Sequence, residues 1–544
     1  MNITTKFKEY ICVISMNSSL SFLKSNILLT KTKALLRACL FAIYLISVND
    51  IQAQTTPTSQ MEKLTRGVVA LPSENGGQFV SWRMLGTDPL TTTFDLLRDG
   101  QPIAKNLGNR TNFTDPQGTS ESQYQVMVKV DGNVIETTDA VKPWADFYCN
   151  VKLDRPEGGI YPFKKDNAFV DTPYSYYPYE CSVGDVDGDG VYELFVKWNP
   201  TNAQDNAQSD GKTGNVYLDC YRLDGTKLWR VDLGVNIRAG AHYTQFLVYD
   251  FDGDGHAEMI CKTAPGSIDG AGSYVNQAAD DEEIRQADNT KDWRSEVGKI
   301  TGGQEYLTVF DGLTGKAIHT VFYNPNRNTG YGSEADGSFN WDDRKGYTDY
   351  ASYGNRGERY VACVAYLEGL DKRPSAVMCR GYYTYAFLWA VDFDGKKLGT
   401  KWLHASRTRT EVELTDAVGK MERRAYATNT FSISDSYTAY GQGNHHVSVA
   451  DVDGDGCDEI IYGAATIDND GWMLYTTGLG HGNALHVADI LPDRPGLEVY
   501  RTCENAPYGC EIHDARTGEK IFHLTGEEHS GNRCILSFNL ICND

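Results

Sequence analysis

The nonapeptide D-V-D-G-D-G-V-Y-E at residues 185–193 returns as D-F-D-G-D-G-H-A-E at 250–258 and as D-V-D-G-D-G-C-D-E at 451–459. Alternate aspartates turn their carboxylates toward one point, and glycines at the fourth and sixth places let the backbone close tightly around a cation. A flexible all-oxygen cage of this kind suits calcium, whereas magnesium demands a near-ideal octahedron. The EF-hand alternative needs an acidic residue at the twelfth place, where this chain has Val196, Cys261 and Tyr462, so it fails in all three copies. The candidate ligands for several calcium ions are therefore Asp185, Asp187, Asp189 and Glu193; Asp250, Asp252, Asp254 and Glu258; and Asp451, Asp453, Asp455 and Glu459.

Each copy is flanked by strand-like runs, such as F-L-V-Y before residue 250 and M-I-C-K after residue 258, so the acidic turn joins two strands. The copies start 65 and then 201 residues apart, the second interval being close to three times 67, which predicts intermediate units whose loops have lost the ligands. Residues 363–378 and 487–500 have that strand, turn, strand form. A second motif with glycine follows most units, as L-D-G-T-K-L-W from Leu223, D-G-L-T-G-K from Asp311, D-F-D-G-K-K from Asp392 and D-A-R-T-G-E-K from Asp514. These read as hairpin turns. Loop, two strands and a further hairpin make a four-stranded blade, and a series of blades makes a β-propeller.

The chain has 544 residues, 41% of them hydrophobic, with 33 tyrosines and 53 glycines, which fits a mostly β protein with an ample core. A net charge of −22 argues against nucleic acid or an anionic membrane held by basic patches. Residues 1–53 read as a secretory signal with an overlong front end: Lys31, Lys33 and Arg37 precede an apolar run at 38–48, too short to span a bilayer, and Ile51, Gln52 and Ala53 form an acceptable cleavage site. The expected location is outside the cytoplasm: periplasmic, cell-surface or secreted, as a monomer. Cys181, Cys220, Cys261, Cys363 and Cys379 fall inside strand patterns and read as small core residues. Cys503 and Cys510 flank C-E-N-A-P-Y-G-C, and spacing alone leaves open whether they pair.

Residues 60–145 differ in character: short alternating strands separated by turns, with Trp82 as a core anchor, predict a small β-sandwich of the fibronectin type III kind without a catalytic constellation. The propeller is expected over 148–532. Its insertion at 199–211, dense in Asn, Gln and Asp, reads equally as a further cation site or as polar padding, and the long acidic insertion at 266–303 is expected to rim the binding face. Tyr331, Phe339, Trp341, Tyr347, Tyr350 and Tyr353 read either as platforms for pyranose rings or as loop packing.

Histidines recur in register. His445 in G-Q-G-N-H-H and His481 in G-L-G-H-G-N-A-L-H precede successive units, 36 residues apart; His242, with Asn236 and Arg238, precedes the second acidic turn; Arg380 and Tyr383 lie at the corresponding place between. A single histidine before a strand is more often structural, but corresponding places on neighbouring blades converge at one end of a propeller's axis.

With the segments at 183–198, 236–255, 441–456 and 478–486 in view, the chain from about Arg66 to Asn532 resembles rhamnogalacturonan lyases of polysaccharide lyase family 11. The resemblance implies an eight-bladed, calcium-rich propeller, of which about five blades are present here, behind a fibronectin-like domain. It also implies cleavage of the rhamnose–galacturonate backbone of pectin, rhamnogalacturonan I, by calcium-assisted β-elimination. Asn236, Arg238, His242, Arg380, Tyr383, His445 and His481 then become the substrate-binding candidates, with His445 and His481 also at the central metal. After Asn532 the chain reads R-C-I-L-S-F-N-L-I-C-N-D, where the family continues with further blades that carry the catalytic base. An aberrant tail at 533–544 and an open propeller predict a poorly stable and nearly inactive chain. The runner-up is a non-catalytic, integrin-like calcium propeller for glycan binding or adhesion; a glycosidase ranks last, because the carboxylates are committed to cation-spaced turns.

Overall fold

A computed structural model describes residues 61–326, 356–384, 386–406 and 439–526, with the backbone of 412–416 and 419–424. The expected leader, the six aromatic residues between Tyr331 and Tyr353 and the tail at 533–544 lie outside the described residues. The fold is all-β: among the described residues, helix is limited to Val275–Ala278 and Glu282–Arg285, both inside the acidic insertion.

The N-terminal unit comprises a three-stranded sheet, Val69–Pro72, Gln78–Ser81 and Asn112–Asp115, and a four-stranded one ordered Gln101–Leu107, Thr93–Arg98, Tyr124–Val130 and Asn133–Thr137. Alternation puts Tyr124, Val126 and Val128 into one core with Ala70, Val80, Phe94 and Leu96. Trp82 anchors it, its ring 5.7 Å from that of Phe94 in an edge contact.

Five four-stranded antiparallel meanders follow after the hairpin Gly159–Lys165/Ala168–Tyr174. Sheet I is Tyr176–Gly184, Glu193–Pro200, Tyr217–Tyr221 and Lys227–Asp232; sheet II is Phe246–Tyr249, Glu258–Thr263, Tyr306–Asp311 and Ala317–Phe322. Sheet III is Tyr360–Ala365, Ser375–Arg380, Phe387–Phe393 and Leu398–Ala405, extended by a hairpin whose strand Gly419–Arg424 pairs parallel to Leu398–Ala405. Sheet IV is Gly443–Ala450, Glu459–Gly463, Ala465–Ile467 and Met473–Thr476; sheet V is Leu485–Ala488, Glu498–Cys503, Gly509–Asp514 and Lys520–Leu524. The five loops between first and second strands fall at the acidic turns and at the two degraded turns read from the sequence. The first strand of each sheet packs against the first strand of the next.

The second strands are apolar without alternation because both faces are covered. Met259 points into a core shared with Phe195, Leu218 and Trp229 of sheet I, while Ile260 points into the core shared with Met378 and Trp389 of sheet III. Val377 and Ile460 meet between sheets III and IV; Ile461 turns the other way, to Leu485 and Val499 of sheet V. Each such side chain contributes roughly 1.5–3 kcal/mol on burial, so the cores between sheets hold the series together. Tryptophans lock the turns. The indole N–H of Trp229 donates to Gly312 O at 2.8 Å and that of Trp402 to Asn469 O at 2.8 Å. Their rings lie so close to Gly315 (φ +66°) and Gly471 (φ +87°) that a Cβ would come within 2.5 and 2.7 Å. Only glycine satisfies both the left-handed backbone and the close ring.

Cys220, Cys261 and Cys379 are buried as expected, and Cys363 is half-buried. Cys181 is exposed instead, because its strand is the first of sheet I and has no preceding sheet in the described residues to cover it. Cys503 and Cys510 are both buried on paired strands, one register step apart.

Candidate functional site

The three acidic turns share one wiring. The first aspartate accepts from both glycine N–H groups: Gly188 and Gly190 to Asp185 at 2.8 and 2.8 Å, Gly253 and Gly255 to Asp250 at 2.7 and 3.0 Å, Gly454 and Gly456 to Asp451 at 2.7 and 3.0 Å. The glutamate at the ninth place reaches back to the second N–H, with Val186, Phe251 and Val452 donating to Glu193, Glu258 and Glu459 at 3.0, 2.9 and 2.7 Å. The backbone thus orients the carboxylates, and ligand oxygens of Asp185, Asp187 and Glu193, of Asp250, Asp252 and Asp254, and of Asp451, Asp453 and Glu459 gather within 4.8 Å of one another. Asp189 and Asp455 instead accept from Val191 and Cys457 N–H, at 2.7 and 2.8 Å.

Burial, and then the neighbouring carboxylates, push Glu258 up to about 9 and Glu459 up to about 8. One oxygen each of Asp187 and Glu459 is buried without a hydrogen-bond partner. Like charges gathered around stranded oxygens fit a hard divalent ion with oxygen ligands.

A second cluster stands where the sheets approach one another. His242 lies just before the first strand of sheet II, His445 within that of sheet IV and His481 just before that of sheet V; Tyr382 and Tyr383 follow the second strand of sheet III. The Tyr382 hydroxyl is 3.1 Å from His445 Nδ1 and 3.4 Å from His242 Nδ1, and Tyr383 Oη is 3.2 Å from His445 Nε2. The Tyr382 ring stacks on His481 at 5.4 Å and 9°. Arg359 donates to Tyr382 Oη at 3.2 Å and lies 4.9 Å from the centre of the Tyr383 ring. His481 Nδ1 is 2.6 Å from Gly443 O, so Nδ1 carries the proton and Nε2 keeps its lone pair. That Nε2 is buried, has no hydrogen-bond partner and lies 3.6 Å from Glu504 Oε2.

Burial, seconded by Arg359 or a neighbouring imidazole, lowers His242 and His445 to about 4 and His481 to about 2, so all three are neutral near pH 7. His445, His481 and Glu504 have donor atoms within 4.8 Å of one another. Two imidazoles and one carboxylate can hold a divalent ion, though the set is softer than calcium prefers.

Of the substrate-binding residues expected from the sequence, the structure brings His242, His445, His481 and Tyr383 together and puts three others to different work. Asn236 pins the acidic insertion, its Nδ2 donating to Pro265 O and Lys291 O while its Oδ1 accepts from Trp293 N–H at 2.9 Å. Arg238 is buried under the 199–211 loop, bound to Gln204 Oε1 and Gln208 O at 2.9 and 2.9 Å. In that loop Asn202 donates to Lys212 O at 3.2 Å and accepts from Gly214 N–H at 3.0 Å. Arg380 is buried on Glu305 at 2.7 Å, beside Lys262. Glu504, Tyr382, Arg359 and Asp205 were not singled out by sequence; Tyr382 adjoins Tyr383 in C-R-G-Y-Y-T, but nothing in a Tyr-Tyr pair says which ring turns inward.

Fold and cluster together define an all-β protein of serial four-stranded sheets, with cation-type turns between strands and a buried histidine–tyrosine centre. Residues 148–539 match the model of the rhamnogalacturonan lyase family 11 C-terminal domain, and residues 59–144 match that of the rhamnogalacturonan I lyase β-sheet domain. The chain belongs to rhamnogalacturonan lyase family 11. It is 47% identical to the rhamnogalacturonan exolyase YesX of Bacillus subtilis over 466 residues, covering 85% of this chain and 66% of that protein. To the rhamnogalacturonan endolyase YesW of Bacillus subtilis it is 43% identical over 505 residues, covering 92% and 71%. The crystal structure of the exotype lyase YesX superposes with a TM-score of 0.71 at 45% identity, covering 87% of this chain and 68% of that one. The Bacillus licheniformis rhamnogalacturonan lyase gives 0.69 at 43% identity, covering 87% and 71%. The chain therefore spans about two thirds of the length of these relatives.

Proposed function

We propose that this protein cleaves the rhamnose–galacturonate backbone of rhamnogalacturonan, a pectic polysaccharide, by β-elimination, and that sheets I–V are successive blades of a calcium-bound β-propeller of the family's eight-bladed type. The observation that carries the reading is the convergence of His242, Tyr382, Tyr383, His445, His481 and Glu504 from four sheets, in a chain whose relatives are named rhamnogalacturonan lyases.

β-Elimination removes the proton α to the galacturonate carboxylate as the C4 oxygen leaves. The reaction needs a polar, water-poor place that tolerates developing charge on that carboxylate. A divalent cation bound at His445, His481 and Glu504 would supply charge stabilisation to the acid group. The chain's own residues supply neutral imidazoles that offer lone pairs, Arg359 as a fixed positive charge, and phenol hydroxyls that can meet sugar oxygens. Calcium in the acidic turns would fix the loops at the ends of the blades. No described helix is long and apolar enough to cross a membrane. The apolar run at 38–48, behind Lys31, Lys33 and Arg37, supports an exported protein, which we take to act as a monomer. The non-catalytic adhesion reading is not favoured, since the relatives are lyases by name.

Incubation with rhamnogalacturonan and calcium should yield products with unsaturated, ultraviolet-absorbing uronate ends, abolished by chelator. Saturated ends, or none, would overturn the reading. The rate relative to a full-length relative measures what the unmatched third contributes.

A further inference from the structure

We infer that Tyr382 is a positioning residue whose hydroxyl, the middle of a directed chain from His445 through His242 to Asp205, fixes His445 in the Nδ1–H tautomer and turns its Nε2 lone pair into the cluster. The inference rests on the cluster being the functional site of the proposed lyase, but its geometry stands independently.

The direction of the chain follows from its two ends. Arg359 can only donate, and it reaches Tyr382 Oη at 3.2 Å, which occupies one lone pair of that oxygen. Asp205 is held as a carboxylate, oriented by Ala207 N–H at 3.0 Å and faced by Arg359 Nη2 at 3.5 Å. His242 Nε2 lies 3.6 Å from Asp205 Oδ2, and a lone pair there would oppose the carboxylate, so Nε2 carries the proton. His242 Nδ1, 3.4 Å from Tyr382 Oη, must then accept, which uses the only proton that Tyr382 has. His445 Nδ1, 3.1 Å from the same oxygen, has nothing left to accept there and must donate. Its Nε2 is left with a lone pair on the side of Tyr383 Oη, 3.2 Å away.

His481 reaches the same state by a separate route, its Nδ1–H held by Gly443 O at 2.6 Å. Both imidazoles thus present Nε2 lone pairs to one place, with ring centres 4.9 Å apart. A backbone carbonyl does this for one ring, and Tyr382 for the other. Orientation of a histidine through its far nitrogen is how proteins commonly preset a ligand or base. The phenol suits this position because it accepts twice and donates once, whereas a carbonyl only accepts and would leave His242 without a donor.

The test is nitrogen NMR of the ¹⁵N-histidine-labelled full chain, which reads imidazole tautomers without any turnover. Histidine in water favours the Nε2–H form, so the wild type should show His445 as Nδ1–H and His242 as Nε2–H. In Tyr382→Phe the ring stack on His481 is retained, and the ratio of Nδ1–H to Nε2–H at His445 should fall by up to about tenfold, the equivalent of one net hydrogen bond. His481 should stay Nδ1–H as the internal control. If Tyr382→Phe does not fold, Asp205→Ala serves: its side chain is 45% exposed, and the ratio of Nε2–H to Nδ1–H at His242 should fall toward its value for histidine in water. An Nε2–H tautomer at His445 in the wild type, or unchanged tautomers in the folded variants, would overturn the inference. The predicted tautomers without any unsaturated product would count against the lyase reading alone.

Discussion

The turns of sheets I, II and IV and those of sheets III and V occupy the same place in the same meander, yet they settle their negative charge differently. In sheet V, Glu498 accepts from Ile490 and Leu491 N–H at 3.0 and 2.9 Å, as the ninth-place glutamates do, but Arg494 lies beside it at 3.5 Å and reaches Asp514 at 3.2 Å. In sheet III, Lys401 joins Asp392 at 2.8 Å to Glu368 at 3.3 Å. Where the countercharge is built into the chain, the aspartate triplet is gone. Where the triplet remains, carboxylates face one another with Asp185, Glu193, Asp250, Glu258 and Glu459 buried among them, and in sheet I the exposed Arg222 reaches in, to Asp187 at 2.7 Å. One architecture therefore uses two sources of positive charge: a tethered side chain, or an ion from solution.

The largest effect that could break this comparison is loss of a first-place aspartate. Asp250 is fully buried and holds three N–H groups, so Asp250→Asn, which turns an amide donor toward at least one of them, should cost about 2–4 kcal/mol in calcium; Asp254→Asn, at an exposed position, should cost under about 1 kcal/mol. Equal costs in urea unfolding would show that the buried carboxylate has no special role.

Next in size is a pH slope. Glu258 and Glu459 have folded values of about 9 and about 8, above their unfolded value of 4.5. The folded, ion-free state therefore keeps protons that the unfolded chain releases. The stability linked to these groups is complete below about pH 4.5 and is lost as pH rises toward 8–9. Chelated protein should lose stability across that window relative to calcium-loaded protein, in paired melting curves. A difference that does not change with pH would contradict the assignment of these glutamates.

The smallest effect belongs to the tethered cations. Arg494 is 40% exposed, so Arg494→Ala should lower stability by less than about 1 kcal/mol, by the same amount with and without chelator. A calcium-dependent cost would mean that sheet V also takes an ion.

Much of this was legible in the sequence because the informative residues are neighbours. Aspartates and glycines in one nonapeptide determine the turn, and apolar runs such as M-I-C mark strands covered on both faces. The in-register histidines were readable because equivalent places in a repeat converge. The local partners of Asn236, Arg238 and Arg380 were not legible for a physical reason: amides and guanidiniums that bind sugars also pin loops, and the partner decides which. For Arg380 that partner is Glu305, 75 residues away in sequence. Glu504 and Asp205 stand in segments that the sequence did mark, C-E-N-A-P-Y-G-C and the insertion at 199–211, but nothing in either segment says that its carboxylate faces the histidines.

The measurement that most directly tests whether ions complete the acidic turns is calorimetric titration of chelated protein with calcium, read alongside thermal unfolding. At least three ions should bind per chain, one for each acidic cluster, and the melting temperature should rise as they bind, each site adding about 2.7 kcal/mol at a hundredfold excess over its dissociation constant. Absence of binding heat at millimolar calcium, with an unmoved melting temperature, would contradict this.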